Sequence, residues 1–138
     1  MSKLILDNKY RVGLWVAQEV GQTADWGNFQ AFGIERDGEI VAGIVMHMFN
    51  GANAVCHVAI KRPSKMLKEL LRVTADYLFN QCKLKRITGM VPTNEPRTIA
   101  FDKHIGWEEE FVMKDAAPNG DMQVLVMWAD RCPWLSKE

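Results

Sequence analysis

The chain has no excess of charge. Its 17 Lys and Arg balance 17 Asp and Glu, so no global field draws it towards nucleic acid or an anionic membrane. Cysteine is scarce. Cys56, Cys82 and Cys132 are odd in number and irregularly spaced, which argues against a secreted disulfide framework and for a reducing compartment. The apolar runs fall far short of a membrane span, and the first residues lack the charged-then-apolar pattern of a leader. A cytoplasmic protein that avoids membranes is expected. No spacing of His, Cys and carboxylates reads as a metal site, so no metal is expected either. Linkers, repeats and low-complexity tracts are missing, and a single domain over residues 1–138 follows from the length.

The residues present are those of an ordinary globular protein: 48% apolar and 25% charged, enough to bury a core without disulfides or metal. Charge is unevenly placed. Eight basic residues between Lys61 and Arg86 face only Glu69 and Asp76. Such a run suits a phosphorylated ligand or a solvated helix face. Nucleic acid is not the expected partner, because base-stacking aromatics do not interleave with it.

Periodicity sets the order of elements. Residues 4–6 fit a short strand. Val12, Trp15, Val16 and Val20 recur at helical spacing, giving a helix over 10–20 closed by Gly21. A polar loop with Trp26 follows. Strands over 29–35, 39–48 and 53–60 are joined by Asp37-Gly38 and Asn50-Gly51, dipeptides that supply the positive φ of tight hairpins. Leu67, Leu70, Leu71, Thr74, Leu78 and Cys82 then mark a long helix with Ser64 as N-cap. A strand over 86–91, a helix over 96–105 stopped by Gly106, and strands over 107–114 and 122–129 complete the chain, the last two linked by the turn cluster AAPNGD. The fold class is α/β, a mixed sheet with helices on its faces. The strand ending at Ile60, its helix and the strand from Arg86 form a βαβ unit, hence a parallel, adjacent pair.

Three stretches carry a family resemblance: NAVCHVAI running into a basic loop and long helix, RITGMVP running into a helix that ends in Gly106-Trp107, and the tail VLVMWADRCPWL. In order and spacing, from about Phe29 to Leu135, they resemble the GNAT superfamily of acyl-CoA-dependent N-acetyltransferases. The likeness is closest to its short bacterial and bacteriophage members. The resemblance implies a central, mostly antiparallel sheet splayed at its parallel strand pair, with the pantetheine arm of acetyl-CoA in the gap. It further implies CoA contacts from Val58, Ala59, Ile60, Lys61, Arg62, Ser64, Lys65 and Met66. A helix N-terminus with Lys61, Arg62 and Lys65 beside it is in any case a physical site for phosphate. The family's small residues in that loop are replaced here by Lys65 and Leu67, so the backbone is less open to phosphate oxygens.

Acetyl transfer by direct attack needs a neutral amine, an oxyanion donor and a proton for the departing thiolate. His57 is the candidate general base, since it lies on the strand that borders the implied acyl site and imidazole titrates in the useful range; a half-buried His bonded to a carbonyl is the plainer alternative. His47 is a second candidate, on the acceptor side with Trp26. Cys56 and His57 are adjacent on a strand and cannot pair as nucleophile and base. By resemblance a backbone N–H near Val58 or Ala59 would hold the oxyanion. Asp102 stands where the family often has a tyrosine that protonates the thiolate; an exposed helix carboxylate is the simpler expectation. Asn94 is one place out of register with a CoA-contacting asparagine and suits an N-cap before Pro96, while Arg97 and Lys103 suit either CoA phosphates or a solvated face. Trp128 and Trp134 are expected to pack the last strand or a homodimer contact.

Two functions fit these residues. One is an acetyl-CoA-dependent N-acetyltransferase acting on a small amine or on a protein, a host protein if the chain is phage-encoded. The other is a GNAT-fold module that retains the scaffold, binds acyl-CoA or not, and acts by docking on a partner protein.

Overall fold

In the computed structural model, which describes residues 1–135, a seven-stranded sheet runs β1-β2-β3-β4-β5-β7-β6. In chain order the elements are β1 (Ser2–Ile5), α1 (Lys9–Val20), β2 (Phe29–Arg36), β3 (Glu39–His47), β4 (Val55–Ile60), α2 (Leu67–Ala75), β5 (Arg86–Pro92), α3 (Pro96–His104), β6 (Glu108–Ala117) and β7 (Gly120–Trp128). Only β4 and β5 are parallel; the other neighbouring pairs are antiparallel. The expected fold class and βαβ unit are both present.

Helix α1 begins at Asn8, whose side chain accepts from the Arg11 N–H, and ends at Gly21 in the left-handed conformation. Val12, Val16 and Ala17 project from it onto one face of the sheet, against Ala31, Val45 and Ala59. Gly43 lies under this contact, where a Cβ would come within 2.8 Å of Val16. The other face carries the larger core: Phe32, Ile34, Ile44, Met46 and Cys56 from the strands meet Leu70, Leu71 and Leu78 from the second helix and Ile105 and Trp107 from the α3 end.

Several local expectations are corrected. Asp37-Gly38 makes the two-residue hairpin, with φ of 52° and 85° and Arg36 facing Glu39. Asn50-Gly51 does not; its loop is wider, and the Asn50 carboxamide accepts from the N–H groups of Ala52 and Asn53, an Asx-type arrangement. Ser64 is not the N-cap of α2, which is Met66; the Ser64 hydroxyl instead accepts from the Met66 N–H at 3.1 Å. The long helix is α-helical only to Ala75 and continues as a wider π-helical stretch, Asp76–Gln81. Most of the AAPNGD cluster is strand, with β6 reaching Ala117 and β7 starting at Gly120.

The last strand is no free edge. β7 is interior, between β5 and β6, and its half-buried Trp128 ring is approached by the guanidinium groups of Arg86 at 5.2 Å and Arg131 at 5.5 Å. Trp134 packs on the main core and donates to the Ile105 carbonyl at 2.6 Å. Both side chains are thus used within the chain. Among the described residues no helix is long and apolar enough to cross a membrane.

Candidate functional site

The parallel strands β4 and β5 touch at one register pair, Val55 and Thr88. The Thr88 N–H donates to the Ala54 carbonyl at 2.8 Å, and the Thr88 hydroxyl donates to the Asn53 carboxamide at 2.8 Å. These contacts pin the N-terminal ends together. Towards their C-terminal ends no further pair joins the strands, which is the expected splay.

The phase of the β3–β4 ladder decides which backbone groups face the gap. The Lys61 N–H donates to the Val41 carbonyl at 2.8 Å, continuing a register in which Ala59 faces Gly43 and His57 faces Val45. Antiparallel hydrogen bonds alternate along a strand. His57 and Ala59 therefore direct their backbone groups to β3, and Cys56, Val58 and Ile60 direct theirs to β5. Of the two candidate oxyanion donors, Val58 meets the geometry. Ala59 does not, because its N–H belongs to the β3 ladder. The Cys56 thiol lies on the core face, and burial pushes it up to about 12, so it is no nucleophile at neutral pH. On that face the strands enclose only a cavity of about 30 Å³, lined by Cys56, Val58, Ile87 and Trp107 among others.

The loop after β4 is partly committed to its own structure. Lys61 and Arg62 N–H groups both go to the Val41 carbonyl, and the Leu67 N–H goes to the Ser64 carbonyl. Met66 is held by the Ser64 hydroxyl. Lys68 and Glu69, in the first turn of α2, and Lys65, just before its N-cap, are left without a backbone acceptor among the described residues; free N–H groups at a helix start are suited to an anion. The cations divide: Lys65 stays with this turn, whereas Lys61 and Arg62 line a pocket of about 400 Å³ on the α1 face, with Arg11, Leu14 and Trp15.

His47 and His57 are brought together. They sit diagonally on adjacent strands, on the α1 face, with Nε2 atoms 3.0 Å apart. Trp26 packs against both rings, with centroids 5.1 Å and 5.0 Å away. Trp26 is thus not a solvent-facing acceptor residue: it is buried, and its indole N–H donates to the Gly13 carbonyl at 2.9 Å. It roofs the histidines and ties them to α1. Desolvation, then the charge of His47, lowers His57 to about 4. His47 is also lowered by burial, with a backbone hydrogen bond to Trp26 opposing. Both rings are neutral at pH 7.

Asp102 is not the exposed carboxylate expected. It is the one buried residue of α3, and desolvation raises it from 3.8 to about 6. The position had no sequence signal beyond its distance from Gly106, because in α3 the apolar Ile99 and Phe101 are the residues that read as facing the core. Asn94 and Arg97 are exposed. Asn94 caps nothing, as α3 starts from Glu95 without a side-chain hydrogen bond. Lys103 is paired with Glu109 at 2.6 Å, leaving it less free for phosphate.

No protein-family model matches the chain, and no curated protein matches it in sequence. Solved structures match it in fold. A single-substitution variant of the spermidine N-acetyltransferase SpeG from Vibrio cholerae aligns over 96% of this chain and 97% of that one, with a TM-score of 0.73 at 13% identity. The spermidine N-acetyltransferase from Vibrio cholerae in complex with CoA and spermine aligns over 94% of this chain and 96% of that one, with a TM-score of 0.69 at 12% identity. A chimera of SpeG aligns over 74% of this chain and 66% of that one, with a TM-score of 0.64 at 15% identity. The chain shares the fold of these structures, the GNAT-type mixed α/β fold that its resemblance implied.

Proposed function

We propose that this chain is an N-acetyltransferase that moves an acetyl group from acetyl-CoA to the primary amine of a small acceptor, by direct attack in a ternary complex. The observation that carries the reading is the one-pair contact of β4 with β5, which leaves the Val58 N–H facing an unpaired strand edge next to His57. The fold neighbours lend support: one is a spermidine N-acetyltransferase in complex with CoA and spermine.

Each chemical need has a group to meet it. The pantetheine arm occupies the splay and completes the β4 edge as a missing strand would. The thioester carbonyl takes the Val58 N–H, a fixed donor that strengthens as negative charge develops. The acceptor amine attacks the carbonyl carbon, the C–S bond breaks, and the ammonium proton passes to His57, which its surroundings hold neutral at pH 7. The thiolate is protonated by Asp102 or by water. With its carboxyl raised to about 6, roughly a tenth of Asp102 is protonated at pH 7, against about a thousandth for an ordinary aspartate. Phosphates lie on the free N–H groups at the start of α2, with Lys65 beside them. Asn94 and Arg97, both exposed, are candidates for further CoA contacts, and the reaction takes place in one domain, in the cytoplasm.

The test is calorimetric titration with acetyl-CoA, followed by thiol release with a panel of primary amines that includes spermidine. Binding by the wild type and by His57→Ala, with turnover lost only in the variant, supports the reading. Absence of acetyl-CoA binding rules it out.

A further inference from the structure

We propose that His47 is the second station of a proton relay, taking from His57 the proton that the acceptor amine releases. The inference rests on the acetyltransferase reading and adds a positioning and proton-carrying role for a residue outside the attack itself. Its basis is the approach of the two Nε2 atoms to 3.0 Å under Trp26.

Two neutral imidazoles whose ring nitrogens meet at that distance hold one proton between them, so one ring donates and the other accepts. The relay makes His57 the donor. A backbone hydrogen bond between Trp26 and His47 opposes the lowering of His47 by burial, the sense that an acceptor carbonyl gives. The His47 Nε2 is already turned to His57, so the carbonyl takes Nδ1–H. The His47 Nε2 then carries a lone pair, and His57 donates to it through Nε2–H. This leaves the lone pair of His57 on Nδ1. Among the described residues that atom takes no hydrogen bond, and it is not one of the fully buried unpartnered atoms, so it is not sealed from solvent.

The relay balances without any further reactant. The ammonium formed on attack gives its proton to His57 Nδ1, and the Nε2–H of the resulting imidazolium crosses to His47 Nε2. The charge comes to rest on the ring that burial penalises less and that the Trp26 carbonyl stabilises. After product leaves, the proton on His47 Nε2 returns to His57 Nε2 and the Nδ1–H of His57 goes to solvent, which restores the original tautomers. A lone buried His57 would be a weak base; the second imidazole holds the charge while the intermediate collapses. The fixed roof explains why the rings stay in register, since Trp26 is anchored to Gly13 of α1.

Imidazole nitrogen NMR shifts of the wild type at neutral pH test the arrangement directly. His57 is expected as the Nε2–H tautomer and His47 as the Nδ1–H tautomer. A His57 carrying its proton on Nδ1 overturns the relay, whether or not an acceptor amine has been found. The kinetic arm uses His47→Gln, whose amide oxygen can still accept from His57 but cannot carry a proton onward. A fall in kcat of about 10- to 100-fold, with KM for the amine within about twofold, is expected. Unchanged kcat in a folded variant that binds acetyl-CoA shows His47 to be structural and overturns the proposal.

Discussion

Val55 and Thr88 form the one register pair between β4 and β5, and the hydroxyl of Thr88 reaches back to Asn53 at 2.8 Å. This joint holds the narrow end of the splay. Beyond it the backbone groups of Val58 and Ile60 point at a strand that has already diverged. In an ordinary sheet such unpaired edges invite association; here the edge is internal to the sheet, between β4 and β5. An extended amide-bearing arm is the ligand proposed for it.

Trp26 is expected to be among the most destabilising sites to truncate. Trp26→Ala removes a buried indole and leaves the Gly13 carbonyl without its donor, for a loss of about 3–5 kcal/mol. Trp26→Phe keeps most of the packing and loses the hydrogen bond, costing about 1–2 kcal/mol. Urea denaturation of the three proteins gives the ranking, and a tolerated alanine contradicts the roof assigned to this residue.

Gly106 separates α3 from β6 at φ 116°, and a Cβ there would come within 2.7 Å of Pro133. Gly106→Ala meets both a disfavoured backbone conformation and a rigid ring. The expected loss exceeds about 2 kcal/mol, read as a lowered Tm. Alanine at the open turn glycine, Gly51 (φ 87° with nothing near its Cβ), meets the conformational penalty alone and should cost less.

Burial raises Asp102 from 3.8 to about 6, so the folded chain binds more protons than the unfolded chain between those values. Stability from this group is therefore full below pH 4 and falls as pH rises to 6. Asp102→Asn removes the charge burial, and at pH 7 should stabilise by about 2–3 kcal/mol, with no gain at pH 4. If Asp102 also supplies the thiolate's proton, the more stable variant will be slower.

The histidines act in the opposite sense. His57 is lowered to about 4, so the unfolded chain binds the extra proton, and stability falls as pH drops from 6.5 towards 4. In the wild type the two slopes oppose one another between pH 4 and 6. Relative to the wild type, His57→Gln should make stability decline more with rising pH there, and Asp102→Asn should make it rise more. Denaturation midpoints at pH 4, 5 and 6 check the pair, and variants whose slopes both shift in the same direction from the wild type contradict the assignments.

The fold was legible in the sequence where local chemistry decides it. Asp37-Gly38 sets its hairpin alone, and the helical spacing of Val12, Val16 and Leu70, Leu71, Thr74, Leu78 survives as buried faces. The βαβ unit follows from chain order and handedness. The site was less legible, because its features arise between elements. Trp26 lies in a polar stretch, and only the approach of α1 to β3 and β4 makes that stretch a roof. Asp102 reads as a helix-surface residue until Ile105 and Trp107 turn the end of α3 into the core. His47 and His57 were each visible, but their pairing depends on a register that puts them diagonally across two strands. The choice of Val58 over Ala59 likewise needs the phase of the ladder.

The central claim is that acetyl-CoA enters the splay and engages the Val58 amide. Backbone amide NMR spectra recorded as acetyl-CoA is added test it most directly. The account expects the Val58 and Ile60 amide protons to move strongly downfield while His57 and Ala59, bonded to β3, shift little. Binding that leaves Val58 unmoved, or an absence of binding, would contradict it.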